Sequence, residues 1–232
     1  MISKSNVRKG IFDPMSNELE RVGFKFDKKN QFFVKKAQDA IFVYDIHFYH
    51  QTNIKSGEKG FLLEPYIWVI VKAVEKIYKE ITVNKELKVD TDFLTLGNGV
   101  ANLEANPDGI NRKRNASLDL FVFEERNIKY VSWEILKHFR ETAIPYFDNN
   151  QTVKAVDKLL NRQPKEYCVH MPNDTYRFIK GLIAAKLNNN EAFEQLLIEY
   201  SKLIIERDMP SSTREELNNL KKLLTESAGW SI

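Results

Sequence analysis

His47 and His50 are the first residues whose types could do chemistry, since two imidazoles at short spacing can hold a metal. The segment around them alternates in polarity and reads as a strand. Side chains three residues apart on a strand point to opposite faces, so chelation would need a bulge. No Cys/His cluster lies nearby, and no metal is expected. Cys168 and His170 could supply a nucleophile and a base, and as i and i+2 they could share a strand face. Nothing around them resembles a family signature, and a free Cys is commonly a buried packing residue, so a structural role is expected. Gly97-Asn98-Gly99 begins like a dinucleotide fingerprint, but Val100-Ala101-Asn102 follows where the third glycine belongs, and no amphipathic helix is expected after it. P-loop, His-Glu-x-x-His and Gly-x-Ser-x-Gly patterns are absent from the sequence. No catalytic residue and no cofactor are assigned.

Two further sets remain. Asp90, Asp92, Asp119, Glu124 and Glu125 could meet across strands as an acid pair, which only a shared pocket would make functional. A hydrolase or nuclease built from His47, His50, Asp119 and Glu124 at a sheet–helix junction is therefore the alternative reading. Arg112-Lys113-Arg114 could contact phosphate or an acidic partner, although three charges in a loop are ordinarily solvated. Trp, Tyr and Arg dominate interface hot spots, so Arg112, Arg114, Tyr66 and Trp68 are the candidate contact residues.

The elements that must position these residues follow from periodicity. Asp13 before Pro14 reads as a cap and first-turn proline for a short helix over Pro14–Val22, with Met15, Leu19 and Val22 on one face. Strands follow: Phe24 and Phe26 alternate with Lys25 and Asp27, Lys28-Lys29-Asn30 turns, and Gln31–Lys36 continues. Ala40–His50 reads as a strand buried on both faces at its start and on one face later. Phe61–Val71 is a long apolar strand in which Pro65 argues for a bulge or an edge. Lys72–Ile81 is a helix with Val74, Ile77, Tyr78 and Ile81 on one face. Phe93–Leu96 could pair with the sheet, Gly97–Asn115 reads as a long loop, and Leu118, Leu120 and Val122 mark another strand.

From Ile128 the chain is helical. Trp133, Leu136, Ala143 and Phe147 form a stripe ending at Pro145-Tyr146, and Val153, Val156 and Leu160 mark a helix closed by Pro164. Asn173 precedes Tyr176, Ile179, Ile183 and Leu187, and Asn188-Asn189-Asn190 joins this helix to the next as an αα-hairpin. Ser211 and Ser212 cap a last helix, with Glu215 completing a capping box. The fold class is therefore α+β: an antiparallel sheet in the N-terminal half with helices packed on it, and an all-helical C-terminal part. One domain over residues 1–232 is expected, with a possible subdivision into a β-rich part, 1–148, and a helical part, 149–232.

Composition narrows the function classes. With 232 residues, 43% hydrophobic and 29% charged, the chain can bury a sizeable core, and its 15 Phe and 9 Tyr predict an aromatic one. The 35 basic and 32 acidic residues nearly cancel, without the basic stripe of a nucleic-acid binder, so nucleic acid is not an expected partner. A single cysteine excludes an internal disulfide. The N-terminus lacks the apolar core of a signal peptide, and no apolar run approaches membrane-spanning length, so a cytoplasmic protein without a membrane partner is expected. The Lys and Asn richness fits a bacterial protein.

Leu19-Glu20-Arg21-Val22-Gly23-Phe24-Lys25, Phe32-Phe33-Val34-Lys35-Lys36 and the later Ala143-Ile144-Pro145-Tyr146-Phe147 resemble a group of small uncharacterised bacterial proteins. In these a short helix leads through a Gly-Phe-Lys turn into an antiparallel sheet that later helices cover. Many are domains of unknown function and some look like immunity proteins encoded beside secreted toxins. The resemblance implies a non-enzymatic module whose partner is another protein. It covers the first third of the chain and one helix, and carries no catalytic residue.

Overall fold

The computed structural model describes residues 2–86 and 94–226. The first helix, α1 (Lys4–Arg21), opens at Ser3, whose hydroxyl accepts the N–H of Asn6 at 3.1 Å. It starts ten residues before the expected Pro14–Val22 helix. Pro14 lies inside it, on the exposed side, where water can satisfy the carbonyl it leaves unpaired. Val7, Ile11, Met15 and Leu19 recur every fourth residue and are buried.

Six described strands form one antiparallel sheet: β1 (Lys25–Asp27), β2 (Phe32–Lys36), β3 (Ala40–Thr52), β4 (Lys59–Val71), β5 (Leu96–Gly99) and β6 (Leu120–Val122). Asp27 makes the first turn by accepting the N–H groups of Lys29 and Asn30, both at 2.9 Å. Asn53 does the same for Lys55 and Ser56 in the β3–β4 hairpin, which pairs from Thr52↔Lys59 through to Ala40↔Val71.

On its other side β4 carries two half-strands, β6 along Phe61–Leu63 and β5 along Tyr66–Val69. Pro65 therefore makes neither an edge nor a bulge. It pairs in register with Ile46 and falls, on the far side, between the two half-strands, where no ladder calls for the N–H that proline lacks.

Helix α2 (Lys72–Ile81) leaves β4 without a linker and buries Val74, Tyr78 and Ile81. The expected loop from Gly97 is instead the end of β5, a short helix α3 (Val100–Glu104), then a segment pinned by Asn106, whose amide donates to the carbonyls of Asn102 and Lys113. Asp90, Asp92 and Phe93 lie outside the described residues.

After β6, α4 (Glu125–His138) runs through a wide π turn (Phe139–Ala143) into α5 (Ile144–Asn149). The wide turn loosens the ladder just before Pro145, so the helix passes the proline instead of ending there. Leu136, Ala143 and Phe147 are buried as expected, but Trp133 is 54% exposed and belongs to the outer side of α4.

The remaining helices are α6 (Val153–Asn161), α7 (Asp174–Leu187), α8 (Phe193–Glu206) and α9 (Ser211–Glu226). Every residue of α7 from Arg177 to Ala185 is buried, the mark of a helix surrounded by others. The inner face of the sheet meets the helices through tilted ring contacts, including Phe42–Phe147 at 5.0 Å and Tyr44–Phe139 at 4.9 Å. One apolar cluster runs from α1 through the sheet to Leu217 and Leu220 of α9, crossing residue 149 without a break. No described helix is long and apolar enough to cross a membrane.

Candidate functional site

Alternation along β3 and β4 sends Phe42, Tyr44, Ile67 and Val69 to the helices, and Ile41, Val43, Asp45, His47 and Tyr49 with Glu64, Tyr66, Trp68 and Ile70 to the other face. That outer face has its own small apolar cluster of Ile41, Val43 and Ile70, edged by Phe32, Val34 and Trp68. Beyond it lies an aromatic and acidic array.

The ring of His47 stacks on Tyr66 with centroids 4.3 Å apart, and stands edge-on to Trp68 at 6.2 Å. Its Nε2 lies 2.9 Å from Asp45 Oδ2 and its Nδ1 3.1 Å from the Tyr49 hydroxyl. Tyr66 donates to Glu64 Oε2 at 3.2 Å. Burial, the Tyr49 hydroxyl and the Glu64 carboxylate all push the Tyr66 phenol above its ordinary range, so it remains a donor at neutral pH.

The register opposite this array is distinctive. Tyr66 faces Gly99 and Trp68 faces Gly97 on β5, so the neighbouring strand lays no side chain over either ring. At Gly97 the reason is packing: φ is +154° and a Cβ would stand 2.2 Å from the Ile67 carbonyl oxygen. The two glycines that suggested a phosphate loop serve the sheet, and the helix that does open after them, α3, has only five residues.

Three of the four expected contact residues meet here. Arg114 reaches back to the face, with Nη2 2.7 Å from Glu64 Oε1 and 2.6 Å from Asp119 Oδ1. It is a bridging cation and not a solvated one. Arg112 departs from it and lies over the Tyr167 ring at 4.6 Å. Phe121, 38% exposed, and Tyr49, 42% exposed, extend the aromatic surface, since Phe121 pairs with Leu62 on the same side.

The remaining candidates are dispersed. His50 points to the opposite face and packs on Phe61 at 5.0 Å. Glu124 caps α4 in a box with Asn127 and pairs with Arg126. Cys168 is buried, its thiol pushed up by that burial, and its sulfur contacts the Leu159 carbonyl at 3.6 Å. Nδ1 of His170 lies 3.0 Å from the Tyr146 hydroxyl. Burial lowers His170 to about 4, so its ring is neutral. Burial also keeps Tyr146 protonated, so a neutral phenol and a neutral imidazole share this hydrogen bond. A neutral thiol and an engaged imidazole do not make a nucleophile–base pair.

Sequence reasoning missed a second polar network. Glu104 Oε1 lies 2.6 Å from His138 Nδ1 and accepts Thr142 at 2.5 Å, while Oε2 accepts Asn115 at 3.1 Å. Burial by itself would raise the Glu104 carboxyl, but these donors outweigh it and hold the group below its usual range. The network joins α3, the segment before β6 and the π turn. Its members are far apart in sequence, and only the four-residue spacing of His138 and Thr142 could have hinted at it. Comparison with known proteins returns no match to a family model, to a curated protein or to a solved structure.

Proposed function

We propose that the chain is a protein-binding module that engages its partner with the outer face of the sheet, centred on Tyr66 and Trp68. The carrying observation is the placement of those two rings opposite Gly99 and Gly97, which keeps the adjoining strand from covering them. Tyr49 and Phe121 widen the surface, and such rings supply large contact area at low entropic cost. Asp45, Glu64 and Asp119 gather around Tyr66 and Trp68, with Arg114 bridging Glu64 and Asp119 and His47 on Asp45, so the centre of the face offers carboxylates to a partner with basic side chains around an apolar patch. An immunity-type role, covering a toxin's surface, is the specific form suggested by the likeness of the opening segment to small bacterial proteins.

The competing hydrolase or nuclease reading needs His47, His50, Asp119 and Glu124 around one substrate. His47 and Asp119 share the face through Glu64 and Arg114, but His50 and Glu124 do not join them.

The test is affinity capture from lysate of the host with three baits: the unaltered chain, Tyr66→Ala/Trp68→Ala, and Trp133→Ala as an exposed-tryptophan control. A stoichiometric protein captured by the first and third baits and lost from the second supports the reading, provided circular dichroism shows all three folded. Equal capture by all three, or capture of none, overturns it.

A further inference from the structure

The long hairpin leaves part of an edge bare. β2 pairs with β3 over Ile41–Tyr44, whereas β3 continues to Thr52. Along an antiparallel ladder, residues that exchange backbone hydrogen bonds with the partner strand alternate with residues whose N–H and C=O point the other way. The N–H of Asn53 bonds the Glu58 carbonyl at 2.8 Å, which sets the phase. Ile46, Phe48, His50 and Thr52 therefore direct their backbone groups away from β4. Pro65, opposite Ile46, fits this phase because its nitrogen then faces away from β3.

No described residue bonds the outward backbone groups of Phe48, His50 or Thr52. The segment Ile46–Thr52 holds no Lys, Arg, Asp, Glu or Pro, and its continuous register leaves no bulge. The usual devices that close an edge are missing from it.

Beside this edge, on the α1 side, a cavity of about 470 Å³ is lined by Lys4, Arg8, Lys9, Phe12, Phe26 and Gln31, with Asp13 as its one carboxylate. The Arg8 guanidinium lies over the Phe48 ring at 5.4 Å, and its Nε is buried without a described hydrogen-bond partner. Arg8 is itself half-exposed and lines the cavity, and a carboxylate is the group that pairs best with the guanidinium it offers there.

We infer that the Phe48–Thr52 edge of β3 is a strand-addition site for an extended segment of a partner protein, one of whose side chains on the α1 side is a Glu or Asp that meets Arg8. Backbone pairing supplies the affinity, and the cationic cavity selects the acidic side chain. This edge is a different surface from the aromatic face around Trp68.

The probe is a fluorescent, disulfide-closed β-hairpin peptide whose open strand alternates Thr and Val with one Glu, compared with the same peptide carrying Lys there. Both are titrated against the full chain by anisotropy. The Glu probe binds saturably and the Lys probe about tenfold more weakly, the size of one charge-assisted hydrogen bond. Arg8→Ala removes that difference. His50→Pro, which deletes an outward N–H without touching the β3–β4 ladder, abolishes binding, while His50→Ala and Trp68→Ala retain it. Should His50→Pro lose its folded circular dichroism spectrum, Thr52→Pro deletes an equivalent outward donor. Equal affinity for the two probes, binding that survives the edge proline, or binding of neither probe overturns the inference. So does an edge-dependent dimer in sedimentation with no probe bound, which would make a second copy the occupant.

Discussion

Lys180 Nζ stands 2.9 Å from both carboxylate oxygens of Glu75, and both side chains are closed to solvent. The lysine also donates to the Leu94 carbonyl at 2.7 Å and lies 4.6 Å from the centre of the Tyr78 ring, while Thr95 donates to Glu75 at 2.5 Å. Burial lowers the lysine from its ordinary range, opposed by Glu75. The pair locks α2 to α7.

Breaking the pair strands a buried charge. Lys180→Met is expected to cost about 3–5 kcal/mol of unfolding free energy. The double variant Lys180→Met/Glu75→Leu should be less destabilised than the sum of its singles by at least about 1 kcal/mol, measured by urea unfolding. Additive losses would mean the two groups are not coupled.

His170 predicts an acid limb of stability. Its folded pKa, about 4, lies below the ordinary imidazole value of 6.5. Between those values the unfolded chain binds a proton that the folded chain does not, so stability is full above about pH 6.5 and falls as pH drops towards 4. Allowing for partial exposure of the residue, the loss is about 2 kcal/mol. Denaturant titrations across this range should show a shallower decline in His170→Gln, and an unchanged slope would remove His170 as the cause.

Gly97 and Gly99 should respond differently to the same substitution. Alanine at Gly97 meets the Ile67 carbonyl at 2.2 Å, whereas at Gly99 it meets the Tyr66 ring at an ordinary 3.6 Å. Gly97→Ala is expected to lose about 1–3 kcal/mol, and Gly99→Ala about 0.5 kcal/mol or less. Thermal melts of the two variants compare them directly, and equal melting temperatures would contradict the packing argument.

Asp157 gathers three amides although it is only 3% exposed. Asn161 and Asn188 each donate to it at 2.7 Å, and Asn190 donates to both oxygens at 3.0 and 2.9 Å. Asp157→Ala leaves all three without this acceptor and should cost about 2–4 kcal/mol. Hydrogen exchange should show the loss concentrated in the 188–190 turn and the end of α6. Uniform exchange across the chain would point to a different cause.

Elements governed by local periodicity were legible. The α2 boundaries, the antiparallel run of β3 and β4 and the change in β3 from two-sided to one-sided burial all appear as the residue pattern predicts, because neighbours in sequence carry that information. The misreadings cluster at prolines. Pro14, Pro65 and Pro145 each look like a break in isolation. Each is accommodated by something outside its own segment: an exposed helix side, a gap between two half-strands, and a preceding π turn.

The candidate site was legible in its residue types and not in its arrangement. Tyr66, Trp68 and Arg114 stand out by chemistry, and their union on one face depends on β4 lying beside β3, β5 and β6. Arg112 carries the same charge two residues earlier and goes to Tyr167 instead.

Composition and periodicity by themselves determined an α+β chain with an aromatic core and no internal disulfide, because burial of apolar surface and the repeats of helix and strand are properties of short windows. Tertiary structure alone decided that Lys180 meets Glu75 across 105 residues, that Arg114 bridges Glu64 and Asp119, and that glycines stand beside Tyr66 and Trp68. Those contacts depend on which elements pack side by side. That choice is made by the sum of many weak interactions over the whole chain, and no local stretch of residues encodes it.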